Sequence, residues 1–293
     1  MPELPEVESI RQGLAQAVIG RRVVRVTLKR PDFIREGSSR RSRIGAISPA
    51  DLLEGQTITR IERRGKQIAV IGSQDTALCL HLGMSGSLAA GPADALQPSP
   101  HTHIRWDLNE NSAFQMTDPR RFGGVWAFTN LQELTATRWS TLGPDALTVT
   151  ARQLQTALKT TQRAIKAALL DQTVLAGVGN IYADEALHRA QIHPQTPAHR
   201  LQPDPIKSLA THVRRILREA ITAGGSSLRD HVMLNGAAGS FQFAHRVYGR
   251  GGLPCQRCGA ELRKTLVAQR TTVWCATCQP KERTRKKKII HLT

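Results

Sequence analysis

The sequence predicts an α+β protein of two domains. An N-terminal β-sandwich follows one leading α-helix, and a helical domain ends in a metal-pinned β-hairpin. Three observations predict this. Many short apolar runs with turn-rich joints follow a single amphipathic stretch in the first half. Apolar residues then recur at helical spacing in the second half. Two C-x2-C pairs lie near the C-terminus. The boundaries read as 1–135 for the sandwich, 136–150 for a linker, 151–245 for the helical domain, 246–280 for the finger and 281–293 for a basic tail.

Val7, Ile10, Leu14 and Val18 recur at helical spacing until Gly20 stops the helix. From Arg22 the period becomes two, with Val24, Val26 and Leu28 alternating with basic residues, which predicts a half-buried strand. Further strands are expected at 67–71, 77–82, 103–108 and 124–128. Gly91-Pro92-Ala93-Asp94 and Pro98-Ser99-Pro100 read as turns between them. The Ser- and Arg-rich segment 36–49 reads as a mobile loop. Beyond Leu142-Gly143-Pro144, helical spacing appears in Leu154, Leu158, Ile165 and Leu169, and again over 181–190. A longer helix is predicted by Ile206, Leu209, Val213, Ile216, Leu217 and Ile221, ending at Gly224-Gly225.

The 293 residues carry a net charge of +18, an excess that attracts polyanions, nucleic acid foremost. Residues 246–288 hold twelve Lys or Arg and two Glu, so ten of those charges sit in one stretch. Glu3, Glu6 and Glu8 exclude a basic-start signal peptide. No apolar run reaches the ~18 residues of a membrane-spanning helix. Five cysteines are too few for a disulfide framework in a chain of this length, which points to the cytoplasm and to bound metal.

Cys255-x2-Cys258-x16-Cys275-x2-Cys278 supplies four soft thiolates with the spacing of two zinc knuckles. A closed four-sulfur shell leaves no position for water, so one structural Zn2+ is expected rather than a catalytic one. The hairpin it pins would project Arg263, Lys264 and Arg270 towards a phosphate chain, and should unfold without metal.

At the other end, Pro2 permits removal of the initiator methionine and would expose a secondary α-amine. With a pKa near ~7.7–8.0 such an amine is partly an unprotonated nucleophile at neutral pH. Glu3 beside it could move a proton. Taken alone, these residues favour the plainer reading of a proline opening a helix, with acidic residues favoured by its dipole.

The chain resembles the bacterial formamidopyrimidine-DNA glycosylases. The resemblance rests on PELPEVE at 2–8, Arg64-Gly65-Lys66, HLGMSGSL at 81–88, DPRRFG at 118–123, AGVGNIYADEAL at 176–187, VYGR at 247–250 and the four-cysteine finger. It implies a β-sandwich, a helix–two-turn–helix domain with a zinc finger, and damaged double-stranded DNA bound between them by a monomer. It further implies Pro2 as Schiff-base nucleophile and Glu3 as proton donor. Lys66 would serve β-elimination and phosphate contact, and Arg270 δ-elimination and a phosphate grip. Met84, Arg120 and Phe122 would fill the gap left by an everted nucleotide.

His101, Arg120, Lys166 and Asn180 match phosphate ligands of the family. Thr161 stands where a basic residue is usual, so that contact is expected to be weaker or to pass to Arg163. The turn 177–180 offers N–H groups at a helix N-terminus as an anion site. The segment 233–242 corresponds to a loop closing over the everted base. Cys79 reads as a small buried hydrophobe, and the tail at 281–293 as a source of non-specific DNA attraction.

The activity implied is a bifunctional glycosylase and abasic-site lyase for 8-oxoguanine and formamidopyrimidines. Two rival readings are an endonuclease VIII-like enzyme for oxidised pyrimidines and a non-enzymatic zinc protein that only senses damage.

Overall fold

Helix α1 (Leu4–Val18) opens with Pro5 in its first turn, and the Glu6 carboxylate reaches back to accept the Glu3 N–H at 2.9 Å. Val7, Ile10, Leu14 and Val18 bury one stripe, and Gly20 at φ +84° turns the chain away. The computed structural model describes residues 2–35, 47–226, 234 and 238–281. Most of the 36–49 loop, part of the 233–242 segment and the tail beyond Lys281 lie outside them. No helix among the described residues is long and apolar enough to cross a membrane.

Eight strands follow α1: β1 (Val23–Leu28), β2 (Ile58–Arg64), β3 (Gln67–Gly72), β4 (Ala77–His81), β5 (Ser87–Pro92), β6 (Thr102–Leu108), β7 (Ser112–Thr117) and β8 (Gly124–Phe128). They form two antiparallel four-stranded sheets, in the orders β1-β6-β7-β5 and β2-β3-β4-β8, packed face to face as a sandwich. Its centre holds Trp106 stacked on Phe114, ring centroids 4.4 Å apart, with the indole N–H satisfied by the Leu52 carbonyl at 2.9 Å. The outer face of β3 and β4 is covered by α2 (Leu131–Thr137) and Trp139. Cys79 lies in that cluster, where burial pushes its thiol up to about 11.

The structure departs from the sequence expectations at identifiable places. In β1 the buried residues are Val23 and Val26 while Val24 is exposed, because a bulge between Val23 and Arg25 breaks the alternation. Strands β2, β5 and β7 are additions. Gly91 and Pro92, expected in a turn, close β5, an edge strand whose outer side needs no N–H from proline.

The second half comprises α3 (Ala151–Lys159), α4 (Ile165–Leu170), α5 (Asn180–Arg189) and α6 (Pro203–Thr222) around one apolar core, to which α1 contributes Leu4. The hairpin of β9 (Leu262–Val267) and β10 (Arg270–Cys275) closes the described chain. Arg263 and Lys264 are neighbours in one strand and therefore point to opposite faces. A Cβ at Gly251 would strike the Lys264 stem, so Lys264 lies along the finger's own backbone and does not join Arg270.

Lys166, expected at a phosphate, is 0 % exposed. Its ammonium faces Asp184 at 2.7 Å and donates to Thr271 O at 3.0 Å and Thr272 Oγ1 at 2.8 Å. It thus ties the hairpin to α5 and lies buried where an exposed phosphate ligand would be expected. Asp184 also accepts the Val273 N–H at 3.0 Å. Burial lifts its carboxyl to about 6 despite the lysine.

Removing one partner of a buried pair strands the other charge, at a cost of ~3–5 kcal/mol, whereas removing both is far milder. Lys166→Met should therefore destabilise the helical domain by about 3 kcal/mol and loosen the hairpin. Lys166→Met with Asp184→Asn should recover most of that loss. Denaturant unfolding and amide exchange across 262–275 check both.

Candidate active site

Two helix N-termini meet at the junction of the halves. The Leu4 N–H donates to Gly177 O at 3.0 Å, which brings the start of α1 against the turn that begins α5. Pro2 is buried at this joint. The Glu3 side chain leaves its own helix and caps the other: its carboxylate accepts N–H bonds from Gly179 at 2.6 Å and Ile181 at 2.9 Å. The anion site expected at the 177–180 turn is thus filled from within the chain, by Glu3.

Gly177 sits at φ +112°, and a methyl there would overlap Leu4. Gly179 has an ordinary φ of −132°, but a methyl there would overlap the Glu3 carboxyl. Gly179→Ala should therefore leave the fold intact, displace Glu3 and lower the excision activity that the family resemblance implies by roughly 10²-fold. Single-turnover kinetics beside a thermal melt would check it.

The environment sets the proton affinity of Glu3. Burial lifts its carboxyl from 4.5 to about 7; Lys66 opposes the rise, Glu6 adds to it, and the Ile181 and Gly179 N–H groups oppose it. Glu6 is itself committed, accepting from the Tyr182 hydroxyl at 2.6 Å and the Ser226 N–H at 2.8 Å, with Ser226 Oγ 3.0 Å from His245 Nε2. Glu8 pairs with Arg63 at 2.8 Å and Arg11 at 2.7 Å. The acidic residues of the 2–8 motif are therefore partners of other elements, not ornaments of a helix dipole.

Lys66 projects from the turn between β2 and β3. Gly65 takes φ +56° there, and Asp145 grips the turn through the Gly65 N–H at 2.8 Å and Arg63 at 2.7 Å. Lys66 is buried, and burial lowers its proton affinity; Glu3 and Glu6 raise it, and Arg270 lowers it further. Glu3, Lys66 and Arg270 thus share one electrostatic environment, although they come from α1, the β2–β3 turn and β10. Arg270 is exposed at the hairpin tip. Asn180, at the start of α5, donates to Thr271 O at 3.2 Å, so α5 also positions Arg270.

Met84, Arg120 and Phe122 lie on two touching turns: a Cβ at Gly83 would strike the backbone of Phe122 and Gly123. Buried Asp118 joins the turns by accepting from Ser85 Oγ at 2.6 Å and the Gly123 N–H at 2.7 Å. Phe122 is 56 % exposed, and the Arg120 guanidinium carbon stands 5.2 Å from its ring centroid. Met84 is half-buried beside them. His101 is exposed, and its carbonyl accepts the Asp118 N–H at 3.0 Å, which places it on the same rim.

Thr161 is 8 % exposed, and its hydroxyl accepts from Arg163 Nε at 3.0 Å. Arg163 also pairs with Asp171 at 2.8 Å. Thr161 is thereby engaged inside the fold, while the Arg163 side chain stays 49 % exposed. Sequence reasoning assigned no role to Asp118, Asp145, Asp184 or Glu6. For Asp118 the available signal was an acid opening the basic run DPRRFG; the other three stand in motifs without such a contrast.

The Sγ atoms of Cys255, Cys258, Cys275 and Cys278 lie within 4.8 Å of one another. Tetrahedral Zn–S bonds of ~2.3 Å place sulfurs roughly 3.8 Å apart, so the four fit one structural zinc. His188 Nε2 stands 3.4 Å from Cys255 Sγ.

Comparison with known proteins follows the same division. Residues 1–125 match the formamidopyrimidine-DNA glycosylase N-terminal domain, 142–232 the formamidopyrimidine-DNA glycosylase H2TH domain, and 252–281 the zinc finger found in FPG and IleRS. A formamidopyrimidine-DNA glycosylase of Xanthomonas campestris is 41 % identical over 283 residues, covering 95 % of this chain and all of the relative. The crystal structure of the MutM (Fpg) protein from Thermus thermophilus superposes with a TM-score of 0.82 at 37 % identity, covering 96 % of this chain and all of that one. The Lactococcus lactis Fpg in complex with DNA containing N7-benzyl-Fapy-dG gives 0.82 at 33 % identity, over 96 % of this chain and all of that one.

Proposed function

The chain belongs to the formamidopyrimidine-DNA glycosylase family, and on that premise we propose that Pro2, Glu3, Lys66 and Arg270 carry its chemistry. It is a base-excision-repair glycosylase for oxidised purines, and its partner is lesion-containing DNA. One observation carries the assignment of residues. A carboxyl with a proton affinity near neutrality, Glu3, adjoins Pro2 in the chain and shares its surroundings with Lys66 and Arg270.

The Pro2 nitrogen gives its lone pair to the sugar C1′, and the C1′–N bond to the base breaks, the base leaving with a proton. Glu3 donates a proton to the ring oxygen as the sugar opens, leaving a cationic iminium. That cation acidifies the C2′ hydrogen. Its removal expels the 3′ phosphate, and a second elimination expels the 5′ phosphate. The lowered proton affinity of Lys66 suits it to accept the C2′ proton, and Arg270 stabilises the phosphate oxyanions as they depart. Zinc, held by the four cysteines, maintains the hairpin that carries Arg270.

Arg120, Phe122 and Met84 occupy the vacated stack, and His101 and Asn180 hold the backbone. All these groups come from one chain, so a monomer is the working unit, acting on DNA in the cytoplasm.

Borohydride trapping on an 8-oxoguanine duplex tests the reading, with mass spectrometry of the adduct. The expected linkage is to the Pro2 nitrogen, and excision should be faster than from a thymine glycol duplex. Linkage to Lys66, or faster thymine glycol release, would overturn it.

A further inference from the structure

Helix α5 joins two different environments. Its first residue, Asn180, belongs to the site above. Its last, Arg189, lies nine residues on, ~14 Å along the axis at 1.5 Å per residue. There a cavity of about 310 Å³ opens between the end of α5, one face of α6 and the zinc finger. Arg189, Arg215, Arg246 and Arg257 line it, with His188 and His212.

Three of these residues carry buried nitrogens without a hydrogen-bond partner among the described residues: Arg189 Nε, His188 Nδ1 and His212 Nδ1. His188 is 1 % exposed and the Arg189 side chain 7 %. Arg189 Nε–H is a buried donor left unmade, which costs roughly 1–3 kcal/mol. The two Nδ1 atoms join it as donors in their Nδ1–H tautomers, so the cavity wall offers a ligand N–H groups in search of acceptors.

Charge identifies the ligand class. Glu219 pairs with Arg189 at 2.6 Å and Arg215 at 2.9 Å, and Glu185 is buried close to His188. Those two carboxylates offset two of the four guanidiniums and leave a surplus of two positive charges. The α5 C-terminus opposes an anion with about half a charge, too little to cancel that surplus. Guanidinium forks match phosphate oxygens in pairs. The volume corresponds to roughly ten waters at ~30 Å³ each, room for more than a single phosphate and at the lower limit of ligand pockets.

We propose that this cavity binds a small phosphate-bearing anion of the diphosphate class, either inorganic pyrophosphate or the diphosphate of a nucleotide, at a site separate from the one that processes DNA. Its concavity suits a compact free anion better than a continuous DNA backbone, whose phosphates line a convex surface. The proposal stands independently of the glycosylase chemistry.

Isothermal titration of the zinc-loaded full chain with pyrophosphate tests it. One saturable site per chain is expected, with Kd raised at least tenfold in the Arg246→Ala/Arg257→Ala double variant. Zinc content and circular dichroism should be unchanged, since both arginines are exposed. A saturating abasic-site duplex should leave pyrophosphate binding intact. Displacement by ADP but not by adenosine would assign the site to nucleotide diphosphates; retention against ADP would confine it to the inorganic anion. Absence of a saturable site, equal affinity in the double variant, or displacement by the duplex would each overturn the proposal.

Discussion

A chain carrying even a short peptide ahead of Pro2 should lose base excision and borohydride trapping by at least about 10³-fold, the scale expected when a nucleophile is removed. Extension converts the secondary amine into an amide, whose lone pair is delocalised into the carbonyl and is no nucleophile. Pro2 is buried where α1 meets the 177–180 turn, so the amine is placed by the fold rather than left on a free arm. Binding to an abasic-analogue duplex should survive, because the lesion-side trio and the zinc hairpin are remote in sequence from the extension. Proteolytic removal of the extension should restore the activity. Excision that persists with the extension in place would exclude the α-amine.

The Glu3→Gln variant should lose base release by roughly 10²–10⁴-fold, the range attributed to a positioned acid. It should still cleave a preformed abasic site within about tenfold of the parent, because the sugar at such a site opens without help from the protein. The pH profile supplies an independent readout. With a proton affinity near 7, Glu3 is mostly protonated at pH 6 and mostly ionised at pH 8. Protonated Glu3 falls about tenfold across that interval while the unprotonated amine, with a pKa of ~7.7–8.0, rises. Base release should therefore trace a bell with its maximum at about pH 7.5, its alkaline limb requiring the Glu3 proton and its acid limb the free amine. In the glutamine variant the alkaline limb should vanish.

The same shift has a stability consequence, and its sign follows from linkage. A carboxyl whose folded-state value is raised binds protons more tightly in the folded chain. Its contribution is complete below the usual 4.5 and is lost as pH rises through about 7. Denaturant midpoints at pH 5 and pH 8 should differ in that direction in the parent, and less in Glu3→Gln.

Much of the fold was legible in sequence because apolar periodicity reports which face of an element is buried. The stripe Val7–Ile10–Leu14–Val18 and the face of α6 were read in this way. Strand β2, reading Ile-Thr-Arg-Ile-Glu-Arg-Arg, escaped because four charges in seven residues blur the alternation, and Arg63 turns inward to Glu8 and Asp145 instead of to solvent. Strand β5 escaped because small residues and a proline carry little strand signal. Within the site, residue type and spacing alone singled out the four thiols, whereas the role of Pro2 rested on the family motif around it. A terminal amine and soft sulfurs keep their chemistry wherever the fold takes them.

What only the tertiary structure decided is how the charged side chains are used. Lys66, Lys166 and Arg270 are all cations on the page of the sequence. Packing leaves Arg270 exposed at a hairpin tip, lowers the proton affinity of Lys66, and buries Lys166 against Asp184. Proton affinity and accessibility arise from the solvent a group has lost and the charges that replace it. Those neighbours come from other helices and turns, beyond the few residues over which apolar periodicity carries information.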